Sequence, residues 1–350
     1  MIEAVCSALP PLFLSGSVRP RGFPAASRWS GAAAQLRWED RWQKSIDRGL
    51  DWLKSRQNRL GGWDHKSYPV AVSALAAMAL TCSGSTTTQG PHAQSIRNAV
   101  DFLISKSRKN GLIGDPRRDQ RYTYGHGFAM LFLSQVLGEE EDIDRRTELI
   151  EVLDRAVGFS VSAQTKAGGW GYVSGKESDF DEGSTTITQV QGLRGCRNAG
   201  IVVPQKAIED AKKYIYRCQN SDGGISYSTT TIGSSRPAIT AAALAALYNA
   251  GEYEGKVVDL MWAYCKKRLH RIEADEYGHW HYAYLYYTQV VYRQPDELWQ
   301  PYRNRLNQRL ADSQTAQGFW EESSVGAVYA TSVNLIVMQM DFGYLPIFQK

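Results

Sequence analysis

The chain has no apolar run approaching the roughly 18–20 residues that cross a bilayer, so nothing in it reads as a membrane span. Cysteine is scarce: 5 in 350 residues, odd in number and without a paired spacing. Cys6, Cys82, Cys196, Cys218 and Cys265 therefore read as reduced, mostly buried thiols rather than a disulfide framework. Charge of one sign is scarce too. The 40 Lys and Arg exceed the 36 Asp and Glu by only 4, with no basic block, which gives non-specific nucleic-acid binding little support. Strand signals are weak, because alanine runs such as Ala241 to Ala246 disfavour β structure.

A short pattern recurs instead. It reads Gln57-NRL-Gly61-Gly-Trp63, Gln164-TKA-Gly168-Gly-Trp170, Gln219-NSD-Gly223-Gly-Ile225 and Gln314-TAQ-Gly318-Phe-Trp320. Two weaker copies, around Gly111 and Gly278, fall in the gaps. Self-similarity at this interval means one structural unit repeats.

Before each glycine lies an amphipathic helical stretch. Ile46, Leu50 and Leu53 fall at i, i+4 and i+7, as do Ile96, Val100 and Leu103, while Lys44, Asp47, Arg48 and Lys54 can stay in water. The glycine is expected to stop the helix in a left-handed conformation. After a polar connection comes a second stretch that is apolar nearly all round, as over residues 70–80, 238–247 and 325–338, and such a helix is buried. The unit is thus an outer amphipathic helix followed by an inner buried one. Length alone would suggest two or three domains, but continuous repeats argue for one. The last unit ends in an apolar run from Tyr344 rather than the polar cap an open solenoid needs. The expected fold is all-α: an (α/α)6 toroid of six outer/inner helix pairs over residues 39–350. Residues 1–38 carry Pro10, Pro11, Pro20 and Pro24 and no helical periodicity. Glu3 stands before the short apolar stretch Ala4 to Leu14, a poor secretory signal, so these residues read as a disordered leader or an upstream start.

Gln-x3-Gly-x-Trp between helix pairs resembles the QW motif of the squalene–hopene and oxidosqualene cyclases, which share a toroid with the protein prenyltransferase β subunits. The resemblance covers residues 40–350 and implies that the motif residues tie neighbouring repeats together. It also implies an isoprenoid-type hydrophobic small molecule as ligand. Those triterpene cyclases have two toroids with the cavity between them, whereas this chain is long enough for one. Class II terpene cyclases protonate an alkene or epoxide with an Asp-x-Asp-Asp motif. The matching residues here are Asp179, Asp181 and Glu182, with Asp181 the preferred donor. Clustered carboxylates suit this task, since like charges close together cannot all ionise. Glu182 departs from the motif, and the acidic residues are expected a few positions upstream of a helix starting near Ser184. The plainer reading is that they cap that helix.

Inner-helix starts across the repeats should line one mouth of the ring. They supply Tyr68, Tyr122, Tyr124, His126, Arg236, His281, Tyr282, Tyr286 and Tyr329 as candidate substrate-binding residues. The plainer reading of each tyrosine is a core ring with its hydroxyl at the rim. The zinc-binding prenyltransferase relatives use an Asp-x-Cys pair, and none of the five cysteines has Asp two residues earlier. His279 and His281 with Cys265 are a weak substitute, so no metal and no cofactor is expected. The Cys-Gly-Glu-Gln segment of thioester-containing relatives is absent. Three functions follow: protonation-initiated cyclisation, a non-catalytic toroid binding an isoprenoid or a protein, and a carbohydrate-active (α/α)6 enzyme using a pair such as Asp181 and Glu322. A cytoplasmic protein is expected, with membrane-surface association and a homodimer left open.

Overall fold

Twelve α-helices alternate between two layers in the computed structural model, which describes residues 41–272 and 279–349. The leader expected over residues 1–38 and the weak repeat around Gly278 lie outside the described residues. The outer helices are α1 (Gln43–Arg56), α3 (Ala93–Ser105), α5 (Ile143–Ala163), α7 (Gln205–Arg217), α9 (Lys256–Leu269) and α11 (Asp296–Ser313). The inner helices are α2 (Pro69–Thr81), α4 (Tyr122–Glu139), α6 (Gly183–Asn198), α8 (Pro237–Asn249), α10 (Trp280–Tyr292) and α12 (Ala327–Met338). Among the described residues, β pairing is limited to three isolated bridges in loops.

Burial follows the two patterns. On α1 the buried apolar positions are Ile46, Leu50 and Leu53, each worth about 1.5–3 kcal/mol out of water. On α2 every residue from Val70 to Thr81 is buried. Each inner helix packs on the next, α2 on α4, α4 on α6, α6 on α8, α8 on α10 and α10 on α12, and α12 returns to α2. The ring is closed, and the chain is an all-α toroid. Small residues permit a close crossing between α4 and α6, where a Cβ on Gly127 would stand 2.7 Å from the Thr188 carbonyl carbon.

The repeated motif ties one pair to the next. Gln57 Nε2 donates to the Gly61 and Ser95 carbonyls, each at 2.8 Å. Gln164 does the same to Gly168 and Ala207, and Gln314 to Gly318 and Ser45. Because Ser45 lies on α1, the last repeat is bonded to the first. The tryptophan points backward: Trp63 Nε1 donates to Leu53, Trp170 to Ser160 and Trp320 to Leu310, all at 2.8 Å. Its backbone N–H donates to an inner-helix hydroxyl, Ser73, Thr186 or Thr331. Ile225 keeps that bond through Thr240.

The glycine does a different job from the one its position suggests. α1 ends before Gln57, four residues short of Gly61. Gly61 has φ +89°, and a Cβ there would stand 2.1 Å from the Asn98 carbonyl oxygen on α3. Gly111, Gly168, Gly223 and Gly318 meet Arg155, Asp210, Leu260 and Arg48 in the same way. The glycine is needed because the loop touches the backbone of the next outer helix.

All six inner helices run in one direction. The apolar C-terminal run seals the end where they finish: Leu345, Ile347 and Phe348 are buried. The Ile347 N–H donates to Gln135 and its carbonyl accepts from Arg293. The other end, where the inner helices begin, carries the long loops. No helix among the described residues is long and apolar enough to cross a membrane.

Candidate functional site at the tyrosine-lined mouth

The acidic triplet splits into three different environments. Asp179 is exposed, accepts from the Lys166 backbone N–H at 2.9 Å and pairs with the Lys166 ammonium at 4.0 Å. Asp181 is buried but turned toward the fourth repeat, where it accepts from the hydroxyls of Ser228 and Thr229 and from the Thr229 N–H. Glu182 is fully buried and caps α6 directly, so no spacer separates the acidic residues from the helix. Five donors converge on its carboxylate: the N–H and hydroxyl of Ser184, the N–H and hydroxyl of Thr185, and the Tyr124 hydroxyl at 3.0 Å. A helix start binds an anion through its free N–H groups and its dipole. The capping role expected of the triplet falls to Glu182.

Above Glu182 lies an arc of aromatic rings from four repeats. Tyr68 meets Tyr124 edge-on at 6.3 Å, Tyr124 lies 6.0 Å from Tyr172, and Tyr172 lies 6.0 Å from Phe180. Phe180 lies 6.4 Å from Tyr227, whose hydroxyl bonds that of Tyr172. From the opposite side Tyr282 donates its hydroxyl to the Ser184 carbonyl at 3.2 Å and packs on Tyr286 at 4.8 Å. α6 and α10 are separated around the ring by α8, so Tyr282 reaches across the mouth. One level deeper Gln191 donates to Gln289 between the same two helices, at 2.8 Å. Burial raises the pKa of Tyr124, Tyr172, Tyr227, Tyr282 and Tyr286, and the Glu182 carboxylate adds to the shift in each. These rings stay neutral at ordinary pH.

A second group of site residues lies around α10 and α12. His281 donates from Nδ1 to Asn334 Oδ1 at 3.1 Å and stands edge-on to Tyr329 at 6.2 Å. With Trp280, Glu321 and Glu322 they line an open cleft of about 570 Å³. Burial works against the Glu322 charge. Hydrogen bonds from the Ser324 hydroxyl and from the N–H groups of Val325, Gly326 and Ser324 outweigh it and hold its carboxyl down at about 2. Asp181 sits on the loop before α6 and Glu322 on the loop before α12, each bonded to its own neighbours.

Two of the expected site residues, His126 and Tyr122, are bonded into the scaffold. His126 is fully buried and replaces the inner-helix hydroxyl of the other repeats, accepting from the Ile113 N–H at 3.1 Å and donating from Nε2 to the Ala156 carbonyl at 3.1 Å. Burial lowers its pKa to about 4, so it stays neutral. Tyr122 is buried between repeats, donating to Glu177 and accepting from the Ser174 N–H. Arg236 stands exposed at the start of α8, with its N–H bonded to Ile225. Cys82, Cys196, Cys218 and Cys265 are free and buried. Among the described residues no group of three or more His, Cys, Asp or Glu is placed to hold a metal ion.

The inner-helix rule missed Tyr172, Phe180, Asp119 and Arg121. Tyr172 follows the motif tryptophan by two positions, a loop site rather than a helix start. Asp119 is buried, accepts from the Arg121 N–H through one oxygen, and has its other oxygen buried without a partner. Burial raises its pKa to about 6, against the Arg121 N–H and charge.

Comparisons agree with this architecture. The chain matches the model of the prenyltransferase alpha-alpha toroid domain over residues 29–194 and 193–283. No curated protein matches it. Among solved structures it is similar to an inactive variant of an alpha-1,6-mannanase from Salegentibacter sp. HEL1_6 in complex with alpha-1,6-mannotriose. That likeness has a TM-score of 0.62 and 9% identity, covering 85% of this chain and 98% of that one. It is also similar to a variant of the type II terpene cyclase MstE from Scytonema in complex with geranylgeranyl dihydroxybenzoate. Here the TM-score is 0.53 and the identity 14%, covering 85% of this chain and 97% of that one. Identities this low establish the fold alone. With the family model matched over most of its length, the chain belongs to the prenyltransferase alpha-alpha toroid family.

Proposed function

We propose that this toroid binds an isoprenoid-type hydrophobic small molecule at the tyrosine-lined mouth, and that Asp179, Asp181 and Glu182 build the mouth rather than supply a proton. The observation that carries this reading is the continuous ring arc from Tyr68 to Tyr227, faced by Tyr282 and Tyr286. A concave aromatic surface with few convergent polar groups suits a hydrophobic ligand. Each member of the triplet is already engaged by donors of the chain, and an acid catalyst needs a proton aimed at its substrate. The ligand seen in the terpene cyclase neighbour, a geranylgeranyl compound, is of the same class. Mass spectrometry of a solvent extract of the purified protein tests the reading. A co-purified isoprenoid lipid, depleted in a folded Tyr124→Ala variant, is expected. A clean extract together with no uptake of added farnesol or squalene would sink it.

One observation favours a second reading, cyclisation begun by protonation. Asp119 combines burial, an unpartnered oxygen and a pKa raised to about 6. A cyclic product from an isoprenoid substrate, lost in Asp119→Asn and retained in Asp181→Asn, would establish this role. Absence of product across squalene and shorter prenyl substrates would remove it.

A further inference from the structure

Arg121 precedes α4 at the rim, with its side chain exposed. Its guanidinium carbon lies 4.3 Å from the centroid of the Tyr172 ring. Among the described residues it has no ion-pair partner. Tyr124 and Phe180 flank Tyr172, each at 6.0 Å. Behind them the Glu182 carboxylate accepts from the Tyr124 hydroxyl.

The geometry points to a cation-binding cage that Arg121 fills from within the chain, and whose external ligand is an alkylammonium group. It uses the same mouth as the isoprenoid reading but does not depend on a terpenoid ligand.

The sign of the ligand follows from the faces presented. Aromatic faces are the negative part of the ring quadrupole and attract cations. An anion would be repelled by them and by the Glu182 carboxylate. The free N–H groups of the inner-helix starts favour an anion, but at α6 Glu182 already satisfies them. The type of cation follows from the hydroxyls. Those of Tyr172 and Tyr227 bond each other, and that of Tyr124 is tied to Glu182 and Ser184. The cage therefore offers faces rather than free acceptors. A quaternary ammonium carries no N–H donors to satisfy and is weakly hydrated, so it loses little on entering. Arg121 rests on a face of the same kind, and its long, exposed side chain can withdraw into water.

Choline and its uncharged isostere 3,3-dimethylbutan-1-ol separate charge from shape. Titration calorimetry at low ionic strength should show Arg121→Ala binding choline at least tenfold more tightly than the unmodified chain, because no internal cation competes. The isostere should bind neither. Arg121→Lys, which keeps a tethered cation, should bind choline weakly. Adding Tyr172→Leu to Arg121→Ala should abolish binding while circular dichroism stays unchanged. Equal choline affinity with and without the Arg121 side chain, or equal affinity for the isostere, would overturn the proposal. Since the probe has no prenyl chain, its failure leaves the lipid extract to decide the isoprenoid reading separately.

Discussion

The Tyr124 hydroxyl donates to the Glu182 carboxylate at 3.0 Å, joining the second inner helix to the cap of the third. One buried carboxylate thereby ends a helix, orients a mouth tyrosine and sets the charge beneath the aromatic arc.

Glu182→Ala should therefore be severe. It removes a cap, worth about 0.5–2 kcal/mol, and strands buried donors at about 1–3 kcal/mol. A total loss of about 1.5–5 kcal/mol is expected in urea unfolding. Asp179→Ala, at an exposed site, should change stability by less than about 0.5 kcal/mol. Equal effects at both sites would contradict the assignment of roles.

The motif glycines make an opposed pair with a helical one. Gly61→Ala places a Cβ 2.1 Å from the Asn98 carbonyl at φ +89°, and should cost more than about 2 kcal/mol. Gly158 lies in α5, and an added Cβ there would meet nothing within 4 Å. Gly158→Ala should instead stabilise by about 0.5–1 kcal/mol. Thermal melts of the two variants should move in opposite directions.

His126 gives a pH signature. Its folded-state pKa is lowered to about 4 from 6.5, so the unfolded chain takes up the proton first. Stability is full above pH 6.5 and declines as pH falls toward 4. At pH 5 this group alone should subtract about 2 kcal/mol relative to pH 7.5. His126→Gln should be less stable at pH 7.5 and lose less on acidification, as read from urea midpoints at the two pH values.

Glu322 acts lower on the scale. Its folded pKa is depressed to about 2 from 4.5, so its stabilisation is present above pH 4.5 and is lost as pH falls through 2. Glu322→Gln should cost about 1 kcal/mol at neutral pH and flatten the stability profile between pH 4.5 and 2. An unchanged acid profile in that variant would remove Glu322 as the cause.

The helix pairs were legible because burial repeats in the sequence with a helical period, as at Ile46, Leu50 and Leu53. The recurring Gln, Gly and Trp were legible because the first, third and sixth repeats make the same contacts. The reason for the glycine was not, since the obstacle at Gly61 is a carbonyl on Asn98, 37 positions on. The candidate site was read in part. Tyr68, Tyr124, Tyr282 and Tyr286 do gather at the mouth, but Tyr122 and His126 turned to the scaffold, His126 taking the bond that an inner-helix hydroxyl makes in the first, third, fourth and sixth repeats.

The sequence by itself determined a ring of outer and inner helices and the family, because periodicity and repeat spacing are local properties of the chain. Only the tertiary structure decided which carboxylate faces the rings. Asp181 and Glu182 are adjacent, and their side chains diverge to partners in the fourth repeat and in α4. Those partners are brought alongside by ring closure, a long-range condition that no local pattern encodes.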